Sequence, residues 1–185
     1  MLDESRHFFG KEQVFTILDL MGRYKLNRFH WHLSDDQGWR IEIKAYPNLT
    51  KIGGIGCNTD SKAPAKFYTQ DEIREILAYA AERHIMVIPE IDMPGHASAF
   101  VKVFPEFDGK HRTVNPASEK LYEVLGNIYK ELADLFPGQY IHIGGDEVYK
   151  GGWNDLPNMK EFMEKEGLKS MNEVEEYFGR RLSDT

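Results

Sequence analysis

Apolar positions along this chain alternate between two periods. Over Lys11–Tyr24, Val14, Ile17, Leu18 and Met21 recur at helical spacing and give the segment one apolar face. The same period returns after Thr69, with Ile73, Ile76, Leu77 and Ala80. It returns again over Ser118–Phe136, with Leu121, Leu125, Ile128 and Leu132. Thr69 and Glu72 have the spacing of a capping box, which predicts where the second helix starts. Gly126 interrupts the third stripe and weakens it. Between the stripes lie apolar runs of strand length: Asn27–Leu33, Ile85–Met93 and Tyr140–Ile143. Leu2-Asp3 opens the chain in an extended manner, and a polar, Gly-rich loop is predicted over about 34–66. Two more helical pieces are expected, Asn158–Glu166 and Asn172–Leu182, the second behind another capping box at Ser170 and Glu173.

The order β-α-β-α-β-α-β-α predicts a parallel sheet covered by helices. Periodicity fits a doubly wound sheet and a barrel equally. The polar residues separate them. Every strand runs into a polar cluster: Asp3 to His7, His30 to Asp36, Glu90 to His96, and Asp146-Glu147. A barrel brings the C-terminal ends of all its strands to one face. A doubly wound sheet wants a Gly-rich phosphate loop after its first strand, and SRHFFGKE is not one. The expected fold is therefore an α/β TIM (β/α)8 barrel.

Composition narrows the function without naming it. The chain has 185 residues, enough for one domain, and a formal net charge of −7. With no polybasic patch, nucleic acid is not the expected partner. The single cysteine, Cys57, excludes an intrachain disulfide and a Cys-rich zinc site. No apolar run reaches transmembrane length, so no membrane partner is expected. MLDESRHF does not read as a signal peptide.

The strand ends carry the candidate chemistry. Asp146 and Glu147 follow Gly144-Gly145, where the backbone leaves the sheet and two adjacent side chains can face one pocket. One protonated and one ionised carboxyl there would suit acid catalysis on a leaving group; a solvated pair capping a helix is the alternative. His30 and His32 share a strand face, as two metal ligands would or as two packed, hydrogen-bonded histidines would. In DDQGWR, Asp, Gln and Arg suit sugar hydroxyls and Trp39 suits a sugar face, but a turn fits too. Asp92 and His96 flank Met-Pro-Gly, either as a carboxylate–imidazole pair or as an ordinary turn. Arg6 offers a guanidinium fork for neighbouring hydroxyls, or a surface ion pair.

Together MLDESRHF, FHWHLSDDQGWR, PEIDMPGH and HIGGDEVYKGGW resemble family 20 of the glycoside hydrolases, the β-N-acetylhexosaminidases. They occur in family order over about residues 1–153. The resemblance implies removal of terminal, non-reducing N-acetylhexosamine from β-linked glycans, such as chitooligosaccharides or glycoconjugates. Catalysis would be retaining, with the substrate's own acetamido group as nucleophile forming an oxazolinium intermediate. It implies Glu147 as general acid/base and Asp146 as the residue that orients the acetamido group. Asp92 and His96 would relay to Glu147, and Arg6 and Asp35 would bind hydroxyls. His30 and His32 would be scaffold; no metal or organic cofactor is implied. The family points to a secreted, periplasmic or lysosomal setting.

The chain also departs from the family. A full barrel has eight strands in about 250 residues, whereas residues 1–185 are predicted to supply about the first four β/α units. No residue matches the family's later aromatic wall, and Trp153 is not expected to belong to it. Half a barrel has unpaired edges, which predict self-association. The remaining alternatives are a metal-dependent barrel hydrolase using His30 and His32, and a non-catalytic sugar-binding fragment.

Overall fold

A computed structural model describes residues 1–184; Thr185, the last residue of the expected domain, lies outside them. The sheet begins with β1 (Leu2–Asp3), and α1 (Lys11–Arg23) leads to β2 (Arg28–His32). The stretch expected to be loop holds a hairpin, β3 (Ser34–Asp35) and β4 (Gly38–Trp39), and a short α2 (Asn48–Lys51). Next come α3 (Gln70–Ala81), β5 (Met86–Glu90), α4 (Ser98–Val101) and α5 (Glu119–Leu135). The C-terminal part is α6 (Met159–Glu166) and α7 (Met171–Ser183).

β1, β2 and β5 form a parallel sheet in chain order. Right-handed crossovers between strands that advance in one direction put every connecting helix on the same face. Accordingly α1 packs on α3, and α3 on α5. A doubly wound sheet needs a reversal of strand order, and the described strands show none. They also do not close into a barrel.

The two faces differ in chemistry. Phe29, Trp31 and Val87 are buried in the main core. His30, His32, Ile88 and Glu90 alternate with them and face the other way. The main core is continuous with the stripes of α1, α3 and α5, through Val14, Leu18, Ile73, Ile76, Leu125 and Leu132. A second cluster gathers Leu156, Met159, Phe162 and Val174 around Trp153.

Local signals explain the helix starts. Thr69 accepts the Glu72 N–H while Glu72 takes the Thr69 N–H at 2.9 Å, the full capping box. At α7 the box is shifted: Ser170 accepts the Glu173 N–H, but the Glu173 carboxylate takes the N–H of Lys169.

Tyr140–Ile143, expected as a fourth strand, is only partly realised. It runs parallel to β5 with one bridge, His142 to Glu90. Three backbone bonds hold it: His142 N–H to Pro89, Ile91 N–H to His142 and Met93 N–H to Ile143. Among the described residues it has a strand on one side only, and it turns away at once through Gly144 and Gly145.

Candidate active site

The sheet register builds the site. Asp3 is level with His32, His32 with Glu90, and Glu90 with His142. Register partners in a parallel sheet point to the same face, so four polar residues form one row at the strand ends. Glu90 is the hub. Its Oε2 lies 2.6 Å from His30 Nε2 and 2.5 Å from His32 Nδ1, and its Oε1 lies 2.9 Å from His142 Nδ1. Burial pushes the Glu90 carboxyl up, but the His32 hydrogen bond and charge, helped by His30 and His142, bring it well below the carboxylate range. His32 is 3 % exposed. Its second nitrogen, Nε2, lies 2.9 Å from Asp35 Oδ2. Burial pushes His32 down, but its hydrogen bonds to Asp35 and Glu90 outweigh that and hold it up at about 10.

Asp35 comes next in the chain of contacts. Its Oδ2 also meets Arg6 Nη1 at 2.6 Å, and its Oδ1 accepts the Asp36 N–H and lies 3.0 Å from His96 Nδ1. The side chain is fully buried with both oxygens engaged. It therefore presents no exposed oxygen to a sugar hydroxyl, contrary to the expectation, and instead anchors His96. The other His96 nitrogen, Nε2, lies 3.8 Å from Glu147 Oε2. The expected Asp92–His96 pair is thus replaced by Asp35–His96. Burial raises Asp35, while His32, the Asp36 N–H and the charges of His96 and Arg6 lower it below its ordinary value.

Asp92 holds the turn instead. Its Oδ1 accepts the Gly145 N–H at 2.9 Å, and its own N–H donates to Ser34 Oγ. A Cβ on Gly144 would land on Asp92 Oδ1, and Gly144 and Gly145 have φ of 78° and 104°. Only glycine passes that point without clash or strain. Asp92 Oδ2 is buried without a partner. Burial raises Asp92 most; the Gly145 N–H opposes it, the Glu90 charge adds to it, and the result is about 6.

The turn delivers Asp146 and Glu147 into the open, the latter with 88 % of its side chain exposed. Glu147 and His96 both have left-handed backbones, φ 46° and 50°. Such conformations cost about 1–3 kcal/mol each in non-glycine residues and concentrate at functional sites. Arg6 is a third exposed beside Asp35, with Asp3 2.9 Å from its Nη1.

Several sequence candidates have other jobs. Trp39 is fully buried and donates to the Ile41 carbonyl, so it offers no face to a sugar. Arg40 is 1 % exposed and donates to the carbonyls of Glu4, Ser5, Gly54, Gly56 and Lys66. It is a clasp for the loop, not a substrate ligand. Trp153 is buried and donates to Thr113 and Val114. His30 and His32 do not converge as a ligand pair among the described residues: the ring atoms of His32 gather with Asp35 and Asp92, and those of His30 with Glu90 and His142. His30, Glu90 and His142 do bring their ligand atoms within 4.8 Å of one another, but that spacing is the hydrogen-bond network itself. Glu90 and His142 lie inside strand-end motifs, but no spacing in the sequence singles them out as site residues. Lining up the four strand ends side by side would place them next to His32.

The description "Glycosyl hydrolase family 20, catalytic domain" matches residues 1–185. A β-hexosaminidase of Vibrio furnissii is 43% identical over 95% of this chain, and one of Porphyromonas gingivalis 40% identical over 96%. The chain spans 32% and 25% of those two proteins. The crystal structure of a family 20 exo-β-N-acetylglucosaminidase from Vibrio harveyi, in complex with N-acetylglucosamine, superposes with a TM-score of 0.92 at 40% identity. The match covers all of this chain and 32% of that one. By sequence match along its whole length and by architecture, this chain belongs to the catalytic-domain family of the family 20 glycosyl hydrolases, whose fold is an α/β TIM barrel.

Proposed function

We propose that this chain supplies the acid half of a β-N-acetylhexosaminidase site, which removes terminal N-acetylhexosamine from β-linked glycans. The observation that carries the reading is the Asp35–His96–Glu147 series at the strand ends. Glu147 is assigned as the acid/base that protonates the glycosidic oxygen and then activates water. His96 faces it from 3.8 Å, a distance that one rotamer change or a bridging water closes, as is common before substrate binds. Asp35 fixes the His96 ring through Nδ1, which directs Nε2 at the acid. Asp146 is assigned to the substrate acetamido group, which attacks the anomeric carbon as the glycosidic bond breaks. Arg6 is assigned to the sugar hydroxyls. Asp92 supports the Asp146-Glu147 turn through the Gly145 N–H.

The chain is read as about the first four β/α units of a (β/α)8 barrel, supported by the unidirectional strand order and by its partial coverage of its relatives. The open side of Tyr140–Ile143 would then take another strand, or a second copy when the chain is alone. On this reading the isolated chain is a poor catalyst although it holds both acids.

The test is hydrolysis of aryl and alkyl N-acetyl-β-glucosaminides by the full-length protein. Glu147→Gln should lower kcat/KM about 10²–10⁴-fold on the alkyl glycoside and much less on an activated aryl glycoside, which needs no proton to leave. Equal activity of wild type and variant on the alkyl substrate would refute the assignment. Light scattering of the isolated chain tests self-association.

A further inference from the structure

The contacts around His32 extend the series beyond the residues assigned above. Neutral imidazole carries one N–H and can donate at one nitrogen only. His32 faces a carboxylate oxygen at each: Glu90 Oε2 at 2.5 Å from Nδ1 and Asp35 Oδ2 at 2.9 Å from Nε2. A neutral ring protonated at Nδ1 would leave its Nε2 lone pair to Arg6 Nη1, 3.1 Å away, and would meet Asp35 Oδ2 without a proton; Arg6 lies closer to Asp35 Oδ2, at 2.6 Å, and spends its N–H there. The doubly protonated ring satisfies both. Five charged groups face it: Glu90 from β5, Asp35 from β3, Arg6 and Asp3 from the end of β1, and Asp92 beyond β5. Arg6 shares Asp35 Oδ2 but is a third exposed, so His32 is the buried counter-charge.

We propose that His32 is a fixed imidazolium and a positioning residue for catalysis, locking Asp35 between two cations so that Asp35 holds His96 in register with Glu147. His32 touches no reacting atom. Its influence runs through one carboxylate: Oδ2 belongs to His32 and Arg6, Oδ1 to His96 and the Asp36 N–H. His96 is otherwise faced by Asp36 at 3.4 Å, itself paired with Arg112, by Glu147, and by the charge of Asp92. Removing the His32 charge takes away a cation two contacts from the His96 ring. Protonation of His96 is then favoured, and its titration moves to higher pH. The consequence for hydrolysis rests on the proposed role of Glu147; the charge state and coupling do not.

The experiment is ¹⁵N-histidine NMR across pH 5–9 on the 185-residue chain, wild type, His32→Gln and His30→Gln. In the wild type both His32 nitrogens should stay protonated over the whole range. In His32→Gln the His96 ring should titrate about one pH unit higher than in wild type. In His30→Gln, which touches Glu90 but not Asp35, His96 should titrate as in wild type. A wild-type His32 that loses a proton near pH 6.5 overturns the proposal, and that measurement needs no variant to fold. So does a His96 titration that is the same in all three proteins. If the NMR results hold but the full-length enzyme cleaves no N-acetylhexosaminide, the functional reading fails and the imidazolium stands.

Discussion

Asp92→Asn isolates one electrostatic cost in this fold. Asp92 is 1 % exposed, and its Oδ2 has no partner. Its carboxyl sits at about 6 against an ordinary 3.8. A raised carboxyl means that the folded state holds the proton more tightly than the unfolded state. The cost of ionising Asp92 in the fold is therefore absent below 3.8, grows between 3.8 and about 6, and is complete above that. Each pH unit between those two points contributes about 1.36 kcal/mol, which makes the full cost about 3 kcal/mol. Asparagine keeps the Oδ1 acceptor for the Gly145 N–H, and its neutral amide NH₂ replaces the partnerless oxygen, which removes the buried charge. The variant should match wild type near pH 4 and be more stable by about 3 kcal/mol at pH 8. For a chain of this size that is roughly 6–12 °C in Tm. Urea unfolding of both proteins at pH 4, 5, 6, 7 and 8 reads the difference directly, because titrations remote from Asp92 are common to the pair and cancel. A stability difference that does not change with pH would refute the reasoning, as would a loss of stability at pH 8.

Three further outcomes follow from the contacts described. Arg40→Met strands the carbonyls of Glu4, Ser5, Gly56 and Lys66, leaves that of Gly54 with the Lys66 N–H alone, and should cost about 4 kcal/mol or more; limited proteolysis should then cut first between Gly53 and Lys66. Gly144→Ala puts a methyl on Asp92 Oδ1 at a φ of 78° and should cost at least about 3 kcal/mol by urea unfolding; a variant as stable as wild type would mean that the turn has an alternative path. Thr69→Ala removes one arm of the α3 capping box and should cost about 1 kcal/mol, readable as a fall in Tm at any pH between 5 and 8.

What can be read from the residues is local. The stripes of α1, α3 and α5 and the Thr69 capping box depend on neighbours within a few positions, and they appear where the pattern places them. The string DDQGWR shows the limit. Its residue types suit a sugar, yet Trp39 and Arg40 are buried because the β3–β4 hairpin folds back under the loop that Arg40 clasps. Nothing in the spacing reports that fold-back. Asp35 does lie at the strand ends, as its position after β2 suggests, but its oxygens are not free. Beside the Asp36 N–H, the side chains that occupy them come from residues 3, 29 and 61 positions away. The hairpin itself, two residues per strand, is too short to leave a periodic trace. Tyr140–Ile143 has strand composition, but its pairing depends on what lies on both sides of it.

The row of Asp3, His32, Glu90 and His142 also bears on how the chain can misfold. These residues are far apart in sequence and meet only because parallel strands align them rung by rung. A slip of β2 by one residue would turn His30 and His32 into the apolar layer under the helices and bring Phe29 and Trp31 to the mouth of the site. The buried carboxylate of Glu90 would lose its nearest cation at the same moment. A misaligned sheet therefore strands a charge as well as misplacing apolar surface, and His32, the same histidine that would position His96 against the catalytic acid, acts as a proofreading device for strand alignment.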